Sequence, residues 1–80
     1  MAVINNLKSI RNSYNLNQQD IAFATGSSRE SISRYERGEN VPSLEMALRL
    51  AYYYHLSVEE LFQLDKDSLQ CVKLSEPEQT

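Results

Sequence analysis

The chain has 80 residues, 41% of them hydrophobic and 24% charged, with a net charge of −3 and one cysteine. That length suits one compact domain whose core forms without metal, and a single cysteine, Cys71, excludes an intrachain disulfide and fits a reducing interior. No apolar run approaches the ~20 residues of a bilayer crossing, and the opening MAVINNLKSI has no basic flank before a hydrophobic stretch, so a cytoplasmic protein without membrane contact is expected.

An acidic average speaks against a polyanionic partner, but the charge is unevenly spread. Residues 1–42 hold five Lys and Arg against four Asp and Glu, whereas residues 43–80 hold three against seven. The first half can still meet a polyanion.

Val3, Leu7, Ile10 and Tyr14 recur at helical spacing and predict an amphipathic helix over residues 5 to 14, stopped by a left-handed Asn15. Arg11 falls about 40° from Leu7 on the helical wheel, so it faces the core side and needs a partner there. Asn17, with Asp20 three residues on, caps a second helix that ends at Gly26. Ser28 caps a third, which runs to Arg37 and stops at Gly38. On the third helix only Ile32 and Tyr35 are apolar and inward; Glu36 lies near their edge, and Glu30, Arg34 and Arg37 look outward.

After Pro42, Ser43 opens a fourth helix with Leu44, Ala47, Leu48 and Ala51 as the expected inward stripe and Met46, Leu50 and Tyr53 as a second apolar side, the pattern of a central helix. Ser57 and Glu60 form a capping box for a short fifth helix, with Val58, Leu61 and Phe62 on one face. The pieces AVI and FQL are expected to pair as a small ribbon clasping the two ends, with a frayed helix end as the alternative for either. A folded domain over residues 1–64 and a polar, mobile tail over 65–80 follow.

Residues 17–38, NQQDIAFATGSSRESISRYERG, thus read as two short helices about a tight turn, with a small Ala22 at the crossing, Gly26 in the turn and Ile32 as the anchor. That is helix-turn-helix geometry, in which one helix spans a duplex backbone and the next enters the major groove.

With NNLKSIR, LNQQDIA, SSRESISRYERG, PSLEMALRLA and LSVEELF in this order over residues 4–64, the chain resembles the phage-repressor-like (Xre/Cro-type) helix-turn-helix family of DNA-binding regulators, in particular its short single-domain members with a terminal strand pair. The resemblance implies an all-α, five-helix lambda-repressor-like DNA-binding domain and a third helix that reads bases. The matching base-reading positions are Ser28, Arg29, Glu30, Ser33 and Arg34; an arginine held bidentate to guanine would supply ~1–3 kcal/mol of discrimination. Glu30 and Arg34 are also spaced to pair along the helix, worth only ~0.2–0.5 kcal/mol, and both uses stay open. Gln18, Arg37, Asn40 and the amides around Gly38 match phosphate contacts, with a solvated charge as the alternative for Arg37. Arg11 and Glu36 match a structural ion pair. Glu39 departs from the basic residue often found in its loop, which implies a weaker phosphate grip. Thr25 and Ser27 replace larger apolar residues, and Phe23 stands at a usually polar position, either covering that gap or exposed.

The expected function is therefore a sequence-specific regulator of double-stranded DNA, a repressor reading an inverted repeat as a homodimer, without cofactor, metal or evident small-molecule ligand. One recognition helix reads too few base pairs to find a site alone. The expected dimer contact is Leu56, Val58, Leu61 and Phe62, with Tyr52 or Tyr53, unless these residues complete the monomer's own core. An enzyme fits poorly: His55 is the only histidine, and neither a cysteine cluster nor a glycine-rich phosphate loop occurs. The rival is a protein-interaction module, such as an antitoxin or adaptor, that keeps the fold without specific DNA binding.

Overall fold

A computed structural model describes residues 3–65. In chain order the elements are β1 (Val3–Asn5), α1 (Leu7–Ser13), α2 (Gln18–Thr25), α3 (Arg29–Glu36), α4 (Leu44–Tyr54), α5 (Val58–Leu61) and β2 (Phe62–Leu64). The expected tail, with Cys71, lies outside the described residues beyond Asp65, as does Ala2 of the AVI piece.

Helix boundaries follow from local chemistry. Asn17 Oδ1 accepts from the Asp20 amide while Asp20 accepts from the Asn17 amide, and Ser57 and Glu60 do the same at α5; Ser28 and Ser43 accept from Ser31 and Met46. Each such cap satisfies an otherwise orphaned amide and contributes ~1 kcal/mol. Asn15, Gly26, Gly38 and His55 take positive φ where the chain leaves a helix. For His55 this backbone conformation closes α4.

The first helix begins at Leu7 rather than residue 5 because Val3–Asn5 is drawn into an antiparallel ribbon, with Val3 opposite Leu64 and Asn5 opposite Phe62. Asn5 and Asn6 fasten that ribbon to the helices. Asn5 Oδ1 accepts from the Leu7 amide and its Nδ2 donates to the Tyr35 carbonyl; Asn6 donates from Nδ2 to Glu60 and from its backbone amide to Leu61.

Leu7, Ile21, Ala22, Ile32, Leu50, Ala51, Tyr54 and Leu61 form the core. Burying a leucine or isoleucine of this set contributes ~1.5–3 kcal/mol. The fully buried Ala22 lets α2 and α3 cross closely. Thr25 is also buried, but its hydroxyl donates to the Ile21 carbonyl, so the smaller residue leaves no unpaired polar group at that corner. Phe23 does not cover it: its side chain is 87% exposed.

On α4 the inward stripe is corrected. Ala47, Leu50, Ala51 and Tyr54 are buried, at helical spacings of three and four, while Leu44 and Leu48 are 74% and 53% exposed. Apolar residues occupy most of the circumference of α4, so hydrophobicity does not centre the stripe. Size does: the two alanines admit the neighbouring helices, and Leu50 and Tyr54 fill the space beside them. Arg49, which patterning left unused, donates from Nη1 to the Thr25 carbonyl at the end of α2, where a cation complements the helix dipole.

Candidate nucleic-acid interface

The outer surface of α3 carries two ridges. Arg29, Ser33 and Arg37 succeed one another at intervals of four, and Glu30 and Arg34 lie beside them with the same spacing; Glu30, Arg34 and Arg37 stand opposite the buried Ile32, whereas Arg29 is exposed at the side of the helix and Ser33 is half-buried. Arg29 is exposed and, among the described residues, hydrogen-bonds to no side chain. Arg34 donates to Glu30 at 2.9 Å in solvent. The Ser28 oxygen caps the helix by accepting from the Ser31 amide, and its one proton goes to Ser31 Oγ.

At the end of α3, Arg37 donates from Nε and Nη2 to the two Glu39 oxygens, at 2.7 and 3.1 Å, and from Nη1 to Ser33 Oγ. This hydrogen bonding moves the Arg37 guanidinium above its ordinary pKa and the Glu39 carboxyl below its own. Residues two apart do not face each other on a helix. Gly38, at φ 76°, turns the chain back and brings them together.

The same turn directs the amides of Gly38, Glu39 and Asn40 onto the carbonyls of Tyr35 and Arg34. The phosphate role expected of the amides around Gly38 is therefore corrected, since helix termination already occupies them. The Asn40 residue itself is exposed.

The inner flank of α3 is different. Arg11 donates from Nε to Glu36 Oε2 at 2.6 Å and from Nη2 to Oε1 at 3.1 Å, with side chains 11% and 4% exposed. Its Nη1 donates to the Leu16 carbonyl, so the guanidinium also holds the loop between α1 and α2. Hydrogen bonding to Glu36 pushes the Arg11 pKa above its ordinary value. Gln18 Nε2 donates to Glu36 Oε1 at 3.1 Å, a contact that sequence spacing does not reveal. One carboxylate thus binds α1, the start of α2 and the end of α3. Gln18 is half-buried at the opening of α2, and Glu36 takes one of its two amide protons.

Of the residues expected at a dimer contact, Leu61 is fully buried within the protomer, where its side chain completes the core. It is corrected from contact to support. Leu56, Val58 and Phe62 are half-buried and pack partly on that core. Val58 and Phe62 also line an apolar groove with Val3, Val41, Pro42 and Leu44. The apolar surface beside helix five therefore extends across the loop before α4, whose Val41 is exposed. Tyr52 is exposed, while Tyr53 is half-buried against the core.

Among the described residues no group of three His, Cys, Asp or Glu side chains is placed to hold a metal ion, and no helix is long and apolar enough to cross a membrane.

Residues 7–61 match a family model described as helix-turn-helix. An uncharacterized HTH-type transcriptional regulator of Methanocaldococcus jannaschii is 36% identical over 63 residues, 79% of this chain and 96% of the relative. The uncharacterized HTH-type transcriptional regulator YgzD of Bacillus subtilis is 27% identical over 64 residues, 80% and 97% of the two chains. Among solved structures, the P22 c2 repressor in complex with a synthetic operator is similar with a TM-score of 0.64 at 26% identity, covering 66% of this chain and 80% of that one. A transcriptional regulator from Listeria innocua gives a TM-score of 0.67 at 25% identity, covering 91% and 62%.

Proposed function

The chain belongs to the helix-turn-helix family, with the five-helix lambda-repressor-like fold and a small ribbon, and is an HTH-type DNA-binding transcriptional regulator rather than an enzyme; from that premise we propose that it is a repressor that reads an inverted-repeat operator in the major groove as a homodimer. The observation that carries this reading is the exposed double ridge of α3, backed by a buried carboxylate that fixes the helix against its neighbours.

In this reading α3 lies in the major groove. Arg29 and Arg34 face base edges, where a guanidinium offers paired donors to guanine O6 and N7, and Glu30 orients Arg34 or accepts from a cytosine amino group. Ser33 and Ser28 line the same helix, Ser28 chiefly by holding its first turn. Gln18, steadied by Glu36, donates to a phosphate at the start of α2, and Arg37 and Asn40 flank the duplex at the other end. Repression needs only that the occupied site exclude other proteins. The likeness to the P22 c2 repressor, itself in complex with an operator, supports that role.

A second copy supplies the second half-site. Two such helices about 34–36 Å apart read one face of the duplex across a two-fold axis. The groove between Val41, Leu44, Val58 and Phe62 suits this contact, because an isologous interface sets a patch against itself and, among the described residues, no charged side chain lines this one. Leu44→Asp tests it: an acid suits the first turn of α4, so the fold is retained, while a micromolar dimer becomes a monomer by light scattering. A monomeric wild-type mass at that concentration removes the dimer from the proposal.

The decisive experiment is selection of bound sequences from a random duplex library, followed by competition at two salt concentrations. A two-fold symmetric consensus is expected. Replacing Arg29 and Arg34 together by alanine should leave the fold intact and erase the consensus; unchanged sequence preference in that variant overturns the assignment of α3.

A further inference from the structure

We infer that Glu39 limits how strongly the protein grips DNA of any sequence, by engaging Arg37 as an intramolecular rival of the phosphate, an inference that rests on the reading of α3 as the DNA-facing helix. Arg37 closes the row that starts at Arg29, unpaired among the described residues, so a duplex lying along α3 meets both guanidiniums. Their states differ. Arg37 presents its Nε and Nη2 edge to both oxygens of Glu39 and gives Nη1 to Ser33. That edge is the one an arginine uses to hold a phosphate with two parallel hydrogen bonds, and a carboxylate copies the phosphate's paired oxygens.

The pairing is built by the backbone, since the left-handed Gly38 folds Glu39 back over the helix end and the Glu39 amide is anchored on the Arg34 carbonyl at 2.9 Å. It is also reversible. The two side chains are 52% and 54% exposed, so water can accompany either partner when the fork opens. A phosphate near Arg37 must therefore displace Glu39 and then share its surroundings with the released carboxylate. Both effects lower the sequence-independent part of the binding energy, which comes from phosphate neutralisation and counterion release. Base-edge hydrogen bonds from Arg29 and Arg34 do not involve Glu39.

The test is a titration of a random-sequence duplex, followed by fluorescence anisotropy over a series of salt concentrations, with the full chain as wild type, E39Q, R37A and R37A/E39Q. The E39Q chain should bind about two- to fivefold more tightly, the range of an exposed ion pair, and the slope of log affinity against log salt should steepen by about 0.9, one further phosphate contact. In the R37A background the same substitution should bring a smaller gain, from the loss of the carboxylate's repulsion alone, and leave the slope unchanged. Unaltered affinity and slope in E39Q overturn the inference while wild-type binding keeps the reading of α3 intact. Equal gains with and without Arg37 also overturn it, because the carboxylate would then act by direct repulsion alone. Absence of duplex binding by all four chains at low salt overturns both.

Discussion

The inner flank of α3 keeps Arg11 against Glu36 nearly out of water, whereas the outer flank keeps Arg34 against Glu30 and Arg37 against Glu39 in solvent. The groups are the same and the shortest distances are close to equal, so length does not separate them. Desolvation does. A buried carboxylate that loses its cation cannot recover water, so the inner pair is fixed and ties three helices together. Exposed partners can exchange one another for water or phosphate at little cost, which leaves the outer cations free to serve a ligand. One short helix thus carries a permanent ion pair and two exchangeable ones, separated by the radius of its own cylinder.

The largest effect is expected where the inner pair is broken. Glu36→Ala leaves Arg11 charged and unpaired and also releases Gln18, and urea unfolding should report a loss of about 3–5 kcal/mol. A loss below about 1 kcal/mol would remove the contrast between the flanks. Next, Ala22→Leu inserts bulk where α2 crosses α3, and about 1–3 kcal/mol of destabilisation is expected in the same assay.

Tyr54 sharpens the inner side through pH. Burial, reinforced by the negative charge of Glu36, pushes its phenol up to about 12 from the ordinary value of 10.0. The folded chain then keeps a proton that the unfolded chain releases, so this contribution is whole below pH 10 and is lost as pH rises from there to about 12. Unfolding measured across that range should separate Tyr54→Phe from wild type only at the alkaline end, by about 1–2 kcal/mol. The smallest effect belongs outside: Glu30→Gln should change stability by no more than about 0.5 kcal/mol, measured in urea, because Arg34 simply turns to water.

Much of this arrangement was legible in the residues. Asn17, Ser28, Ser43 and Ser57 mark helix starts because capping is decided within four residues, and the angles of Arg11 and Glu36 on their wheels assign both to inward faces. The ends AVI and FQL were legible only as alternatives, ribbon or frayed helix end, because Val3 and Phe62 also fit the spacing of the neighbouring helices. What escaped depends on the chain turning back or on competition among equals. Arg37 and Glu39 meet only through the left-handed Gly38, which a wheel cannot represent, and the same turn withdraws the neighbouring amides. On α4, too many positions are apolar for hydrophobicity to choose among them, so the burial of Leu50 in place of Leu44 and Leu48 depends on shape. Arg49 reaches the end of α2 across 24 residues of sequence, and Gln18 reaches Glu36 across 18, spans over which local pattern carries no information.

The two asparagines after β1 bear on the order in which the protein assembles. Asn6 bonds Glu60 and Leu61, near the far end of the described chain, whereas the helix pair around Gly26 is made of near neighbours. Contacts that close long loops form late and open early, so the ribbon should zip after α2 and α3 have met and fray before they part. Amide hydrogen exchange should then release Asn6 before Ile32, leaving α3 protected while the ends of the domain breathe.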